Sequence, residues 1–197
     1  MENSLNKEHI IKNISQTYTK LTDNTISDYI RVSKIFTLDK STLLVKEGQN
    51  ADKIYFIANG SARAYYLKDG KEITDWFAFE NDFISSIGSF FENIPSPHFI
   101  ELLETTTFLE ITRKDVFELS DKHHDFERLG RVVTTKTMLT LRKRIISLQF
   151  ETAQQKYENL INNRPDITQR VPLTHIASYL GITLETLSRI RNQKIRI

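Results

Sequence analysis

A single glycine between two helix-patterned runs is the feature that most limits how this chain can fold. In the segment ASYLGITLETLSRIR, which begins at Ala177, that glycine is Gly181. Two crossed helices need a small residue where they meet, here Ala177, and a glycine where the chain turns. Counted from Leu173, apolar residues occupy the remaining core positions of such a pair: Ile176, Leu180, Ile182, Leu187 and Ile190. The spacing predicts a helix-turn-helix, with an ordinary helical hairpin as the alternative.

Charge is distributed unevenly along the chain. Residues 1–130 contain 15 Lys and Arg against 21 Asp and Glu, whereas residues 131–197 contain 12 against 4. A basic segment after an acidic body is typical of a module that binds a polyanion, and a solvated basic helix is the alternative. Because the basic segment contains the predicted helix-turn-helix, the combination favours binding to double-stranded DNA.

The stretch from Lys34 to Thr112 has the pattern of a β-sheet protein. Turn residues separate its short apolar runs, and Asn59-Gly60 and Asp69-Gly70 supply the positive φ angles that tight hairpins require. Many short strands joined by such turns predict an antiparallel β-roll or jelly roll. The runs are IFTL, TLLV, IYFIA, ARAYYL, ITDWFAF, FIELL and TTTFLEIT, and Gly48 marks a further turn.

Helical spacing surrounds this β-rich stretch, so the predicted fold class is α+β. The last helix should end before Arg164-Pro165, because the residue that precedes a proline avoids the helical region. The spacing predicts two short helices within residues 3–33 and further helices at about 113–123, 125–150 and 151–163.

The longest helical run carries an apolar seam. Its four residues are spaced 3, 4 and 3 positions apart, as in a coiled coil: Met138, Leu141, Ile145 and Leu148. The seam predicts a homodimer, and packing of this helix on its own β-roll is the alternative. The predicted division of the chain is a sensor β-roll at 1–124, a dimerisation helix at 125–150 and a helix-turn-helix domain at 151–197.

The second helix of the helix-turn-helix, predicted at 183–192, would present its N-terminal end to the major groove after a Thr183 cap. On its outer face Arg189 can donate to guanine, Glu185 can accept from a cytosine amino group, and Leu184 can contact a thymine methyl group. Ser188 belongs to the same face. Phosphate contacts, which fix register without reading sequence, are expected from Arg170, Thr174, Arg191, Lys194 and Arg196.

Composition and motifs exclude several other classes of protein. The chain has no cysteine, which excludes disulfides, thiolate metal sites and cysteine nucleophiles. It has no run of roughly 20 apolar residues and no signal-peptide pattern, so we expect a cytoplasmic protein without a membrane partner. His98 and Glu101 would face opposite sides of a strand, and His123-His124 lacks further ligands. Without a P-loop or other catalytic motif, we expect no enzyme activity, no metal and no cofactor.

The order of these parts, a β-roll, a long helix and a helix-turn-helix, resembles the Crp/Fnr superfamily of bacterial transcription regulators. KSTLLVKEGQNADKIYFIANGSARAYYLKDGKEIT is similar to the family's first barrel half, and QRVPLTHIASYLGITLETLSRIRNQ is similar to its DNA-reading segment, particularly in branches from Bacteroidetes-like bacteria. The resemblance implies a dimeric regulator of pseudo-palindromic DNA, with RNA polymerase and a small-molecule effector as candidate further partners. A sensing or protein-interaction module that has lost strong DNA binding is the alternative function.

The family's base-contacting residues are only partly matched. Glu185 and Arg189 correspond to its Glu and Arg, whereas Leu184 stands where many members have arginine, so the preferred DNA sequence should differ. Full-length members continue into a β-hairpin wing, but only residues 193–197 follow the recognition helix here. The resemblance therefore implies a short or missing wing, with basic residues near the end contacting the DNA backbone instead.

The residues that bind cyclic nucleotides in this family are replaced here. Such members have Gly-Glu-Leu and, some ten residues later, an arginine that pairs with the cyclic phosphate. Ser85-Ser86-Ile87 stands in place of the first group, and Ser96 or Pro97 stands in place of the arginine. None of these neutralises a phosphate, so we expect no response to cyclic AMP. The pocket would be empty, adapted to an apolar or uncharged effector through its serines, or filled by Phe90, Phe91 and Phe99.

Overall fold

The structure, a computed structural model, describes residues 6–194. The chain divides into two compact units. One unit contains the chain up to Ala64 together with Phe77–Lys136, and the other contains Tyr65–Trp76 together with the chain from Thr137 onward. The division at residues 124 and 150 remains a prediction.

Two short helices begin the first unit, as the spacing within residues 3–33 predicts. They are α1 (Lys7–Thr17), which starts at an Asn6 cap, and α2 (Asp23–Val32), which starts at a Thr22 cap. The apolar face of α1 is buried through Ile10, Ile11 and Ile14.

Strands occupy the region between Lys34 and Thr112. They form two four-stranded sheets in the orders β1-β8-β3-β6 and β2-β7-β4-β5, and the pairing of β8 with both β1 and β3 is antiparallel. The predicted antiparallel β-roll is confirmed. The strands are β1 (Lys34–Leu38), β2 (Leu43–Val45), β3 (Lys53–Asn59), β4 (Ala62–Lys68), β5 (Lys71–Ala78), β6 (Phe83–Ile84), β7 (Phe99–Leu102) and β8 (Thr106–Thr112).

Two of the predicted turns depend on positive φ angles. Asp69 (φ 51°) and Gly70 (φ 74°) join β4 to β5, as an Asp-Gly hairpin requires. Gly60 (φ 103°) lies between β3 and β4, where a Cβ atom would lie 2.4 Å from Thr106 Oγ1. At Gly60 the conformation and the lack of space both require glycine.

Residues 83–98 contain two elements that the sequence did not predict, strand β6 and helix α3 (Ile87–Glu92). They are too short for hydrophobic periodicity to reveal. Arg113 donates from Nη1 to the Phe90 carbonyl oxygen over 3.3 Å, which satisfies an acceptor near the end of α3.

The core of the first unit joins the N-terminal helices to the β1-β8-β3-β6 sheet and to the helices that follow it. Those helices are α4 (Arg113–Lys122) and the start of α5 (His124–Phe150). Fully buried apolar side chains of this kind are the main stabilising term in a small unit. The buried members are Ile10, Ile11, Ile14, Leu21, Tyr29, Phe56, Leu109, Ile111, Leu119, Phe126 and Leu129.

Helix α5 confirms the long helix predicted at 125–150. Its first turn is held by Asp125, whose carboxylate accepts from the Thr22 backbone N–H and the Thr25 hydroxyl, each over 2.6 Å. Burial opposes ionisation, but these hydrogen bonds outweigh it and lower the pKa of Asp125. Nearby, the rings of Tyr29 and Phe126 meet edge to face with centroids 5.2 Å apart.

Candidate nucleic-acid interface

Helices make up the C-terminal part of the second unit. Helix α6 begins with a capping box, in which Thr152 and Gln155 bond each other's backbone N–H. The one-turn helix α7 was too short to predict. Helices α8 and α9 pack on each other and on α6. The elements are α6 (Ala153–Asn163), α7 (Ile167–Arg170), α8 (Leu173–Leu180) and α9 (Leu184–Lys194).

Gly181 makes the turn between α8 and α9, as predicted. It has the left-handed conformation (φ 67°, ψ 34°), and its N–H donates to the Ser178 carbonyl over 3.1 Å. The N–H of Ile182 donates to the Ala177 carbonyl over 3.0 Å. This pattern closes the C-terminal end of a helix around a glycine and starts the next helix in a new direction.

A small closed core holds the two helices together. Ile176 and Leu187 are fully buried, and Ala177, Leu180 and Ile190 are buried as predicted. Ile182, which was also expected in this core, is only half-buried. Three further buried residues were missed because they belong to neighbouring elements: Tyr157, Ile167 and Val171.

The predicted base-reading residues lie on the outer side of α9. Glu185 and Arg189 are exposed, Leu184 is 37% exposed, and Ser188 is half-buried. Thr183 caps the helix, since its Oγ1 accepts from the backbone N–H three residues later over 3.2 Å. The described start of α9 at residue 184 therefore agrees with the predicted helix at 183–192.

Glu185 is suited to accept hydrogen bonds. A bond from its own backbone N–H and a second from the Thr183 hydroxyl lower the pKa of its carboxyl group. Arg189 lies one turn further along, with Nη2 3.5 Å from Thr186 Oγ1. The exposed face thus carries both a carboxylate and a guanidinium near the N-terminal end of the helix.

The residues predicted to contact phosphates are less uniformly placed. Thr174 is exposed and Arg191 is half-buried. Arg170 is also half-buried, and its Nη1 donates to Asp166 Oδ2 over 3.1 Å, so its charge is already paired. The side chain of Lys194 and the whole of Arg196 lie outside the described residues.

The three serines among the predicted effector residues are all engaged in hydrogen bonds. Ser86 and Ser96 are buried, and their hydroxyl oxygens lie 2.9 Å apart. Ser96 Oγ also donates to the His98 carbonyl over 2.7 Å, and Ser85 Oγ donates to the Lys53 carbonyl over 2.9 Å. These hydroxyls therefore satisfy one another and the backbone.

The aromatic side chains near these serines differ in burial. Phe90 is fully buried, Phe99 is half-buried and Phe91 is 55% exposed, so Phe91 does not fill an interior pocket. Ile87 and Pro97 are exposed as well. Of the three rings, Phe90 is the one that is fully buried.

The predicted dimer seam lies on the part of α5 that belongs to the second unit. Its four side chains are between 40% and 60% exposed in the single chain: Met138, Leu141, Ile145 and Leu148. A row of apolar side chains at coiled-coil spacing is available to a partner.

Residues 6–194 contain neither a metal-binding cluster nor a membrane-spanning helix. No group of three or more His, Asp or Glu side chains in that range is arranged to hold a metal ion. Among the helices of the same residues, none has the length and apolar character needed to cross a membrane.

Comparison with known proteins agrees with this architecture. Residues 35–123 match the cyclic nucleotide-binding domain family. An anaerobic regulatory protein of Aggregatibacter actinomycetemcomitans is 25% identical over 174 residues, which cover 81% of this chain and 67% of that protein. The structure of FixK2 from Bradyrhizobium japonicum has a TM-score of 0.72 at 19% identity and covers 82% of this chain and 84% of that one.

A putative Crp/Fnr-family regulator from Eubacterium rectale has the same fold, with a TM-score of 0.69 at 16% identity, covering 89% of this chain and 85% of that one. Along the chain, a β-roll of the cyclic nucleotide-binding type is followed by a long helix and a helix-turn-helix. The chain therefore contains a match to the cyclic nucleotide-binding domain family and shares its fold with solved Crp/Fnr-type proteins.

Proposed function

We propose that this protein is a sequence-specific transcription regulator, not an enzyme, and that it binds pseudo-palindromic DNA as a homodimer. The observation that carries the proposal is the exposed face of α9, where Glu185 and Arg189 project from a helix-turn-helix with a closed core. Carboxylate and guanidinium groups are suited to cytosine and guanine edges in the major groove. The basic charge of residues 131–197 adds attraction to phosphates.

The dimer would form through the seam on α5. Self-association of one chain about a two-fold axis places the same seam on both sides of the interface. The two recognition helices would then read half-sites roughly 34–36 Å apart, about one turn of DNA. RNA polymerase is a natural further partner of such a regulator.

Replacing Arg189 with Ala tests the base-reading role. We expect the variant to bind a palindrome selected from random DNA about 10- to 100-fold more weakly, because a bidentate contact to guanine is lost. Its affinity for unrelated DNA should fall much less. Fluorescence anisotropy at two salt concentrations measures both affinities.

Arg191→Ala is the matched control, since it removes the same charge from the same helix. If Arg191 contacts phosphate, its loss weakens binding to all sequences alike and reduces the salt slope by about 0.9. The wild type and Arg189→Ala could both fail to bind DNA even at low salt. That result would support the alternative of a sensing or interaction module.

We also propose that cyclic AMP does not control this regulator. The segment from Asp82 to His98 contains no Lys or Arg, so it offers no cation to the cyclic phosphate. The hydroxyls of Ser86 and Ser96 are buried and already bonded to each other. Binding a phosphate there would bury an anion without compensation. Any effector at this site would be apolar or uncharged.

Isothermal titration calorimetry tests this independence. We expect no saturable heat with cyclic AMP or cyclic GMP at micromolar concentrations. A titration of the same sample with its selected DNA shows that the protein is active. Saturable micromolar binding of either nucleotide would contradict the proposal.

A further inference from the structure

The first helix of the helix-turn-helix is bonded to the outer edge of strand β5, the edge that has no neighbouring strand among the described residues. This strand is the last in the order β2-β7-β4-β5, so alternate residues direct backbone groups away from the sheet. Ser178 Oγ of α8 accepts from the Thr74 N–H over 2.9 Å and donates to the Glu72 carbonyl over 3.0 Å. One hydroxyl thus bonds two backbone groups of the edge, as a neighbouring strand would.

Arg144 of α5 completes the same contact. Its Nη1 donates to the Tyr179 carbonyl over 3.0 Å, and its Nη2 lies 3.3 Å from the Thr74 carbonyl, to which it donates. The guanidinium also stacks on the Tyr179 ring, 3.9 Å from the ring centroid. One side chain therefore joins three elements: α5, α8 and β5.

A planar guanidinium is suited to this role. It donates in two fixed directions and stacks at the same time, whereas an ammonium group is a single point charge without a stacking surface. Arg144 is half-buried, and its Nη1 and Nη2 are both engaged. Its neighbours on the same helix, Arg142 and Lys143, are exposed instead.

We propose that Arg144 and Ser178 are positioning residues that fix where the helix-turn-helix stands relative to the α5 seam. They are called the β5 clasp here. In a dimer, the distance between the two α9 helices depends on how each is held against α5, and that distance sets the half-site spacing. The inference rests on the proposed function, but its structural half is tested without DNA.

The structural test uses the absence of cysteine from the chain. Exposed residues Lys71 on β5 and Asn162 on α6 are changed to cysteine and spin-labelled. Pulsed electron–electron double resonance measures the distance between the two labels. With the clasp intact, the distance within one chain should have a single narrow distribution. The added changes Arg144→Ala or Ser178→Ala should broaden it or move it outward, while circular dichroism shows that the helices remain.

The functional test uses DNA in which the selected half-sites are moved apart by one or two base pairs. The wild type should discriminate strongly between spacings. In Arg144→Ala we expect that discrimination to fall about tenfold, since several cooperating hydrogen bonds are removed, with affinity for a single half-site unchanged.

Two variants separate positioning from direct contact with DNA. Arg142→Ala removes the same charge from an exposed position and should leave spacing preference unchanged. Arg144→Lys keeps the charge, but an ammonium group cannot donate to both carbonyls in fixed directions or stack on the Tyr179 ring. This variant should therefore behave like Arg144→Ala. If the lysine variant restores wild-type spacing preference, or if Arg144→Ala only reduces the salt slope, Arg144 is a phosphate contact and the proposal is wrong.

The two tests also fail separately. Unchanged spin-label distances in both clasp variants would overturn the clasp itself, whatever the protein binds. If the clasp variants change the spin-label distances but the wild type binds no DNA, the clasp is supported and the proposed function is wrong.

Discussion

Ile145→Glu is expected to turn the proposed dimer into a folded monomer and to lower affinity for palindromic DNA by about 10²- to 10⁴-fold. Ile145 lies in the middle of the seam and is 56% exposed in the single chain, so the monomer itself tolerates a charge there. In the dimer, two-fold symmetry would bury two carboxylates near each other without partners. Once the chains separate, the second half-site no longer benefits from the high effective concentration that linkage provides.

Sedimentation velocity measures the oligomeric state, and thermal melting followed by circular dichroism checks the fold. The matched control is Gln149→Glu, which places the same carboxylate at an exposed position of α5 outside the seam. It should remain dimeric. A dimeric Ile145→Glu protein, or a monomeric wild type, would show that α5 does not mediate association through this seam.

Gly60→Ala is expected to destabilise the β-roll by about 3 kcal/mol or more. A positive φ of 103° is strained for alanine, and the added Cβ atom would lie 2.8 Å from Thr106 Cα, a backbone atom that cannot swing aside. Backbone strain and overpacking each cost about 1–3 kcal/mol. Thr106 cannot move freely, because its hydroxyl accepts from the Ser61 N–H and donates to the Glu104 carbonyl over 2.9 Å.

Gly70→Ala is the matched control for that substitution. Gly70 also has a positive φ, 74°, but a Cβ atom there meets nothing within 4 Å. The cost should therefore be only about 1–2 kcal/mol of left-handed strain. Urea unfolding of both variants gives the two free energies, and equal destabilisation would mean that contact with Thr106 is unimportant.

The parts of the fold that sequence predicted best are those fixed by local chemistry. Gly181 is where a left-handed residue must join two helices, and Asp69-Gly70 is where a tight hairpin needs positive φ, so each could be placed from residue type alone. The long helix α5 was predictable because its periodic pattern runs over many turns without proline. The same reasoning gave the exposed positions of Glu185 and Arg189, which follow from their spacing around α9.

The parts that sequence missed depend on short elements or on distant contacts. Strand β6 and helices α3 and α7 are too brief to show a period. The two phenylalanines Phe90 and Phe91 are adjacent, and only the structure shows which one is buried. The bond between Ser178 and the Glu72 carbonyl joins residues 106 positions apart, and nothing in either segment indicates the other.

Covering the edge of β5 also affects how the protein behaves in concentrated solution. An open strand edge is a template onto which another polypeptide can add, and this route commonly leads to aggregation. Ser178 and Arg144 occupy three outward backbone groups of that edge, at Glu72 and Thr74. The residues that we propose to orient α9 would thus also keep one chain from adding to the sheet of the next.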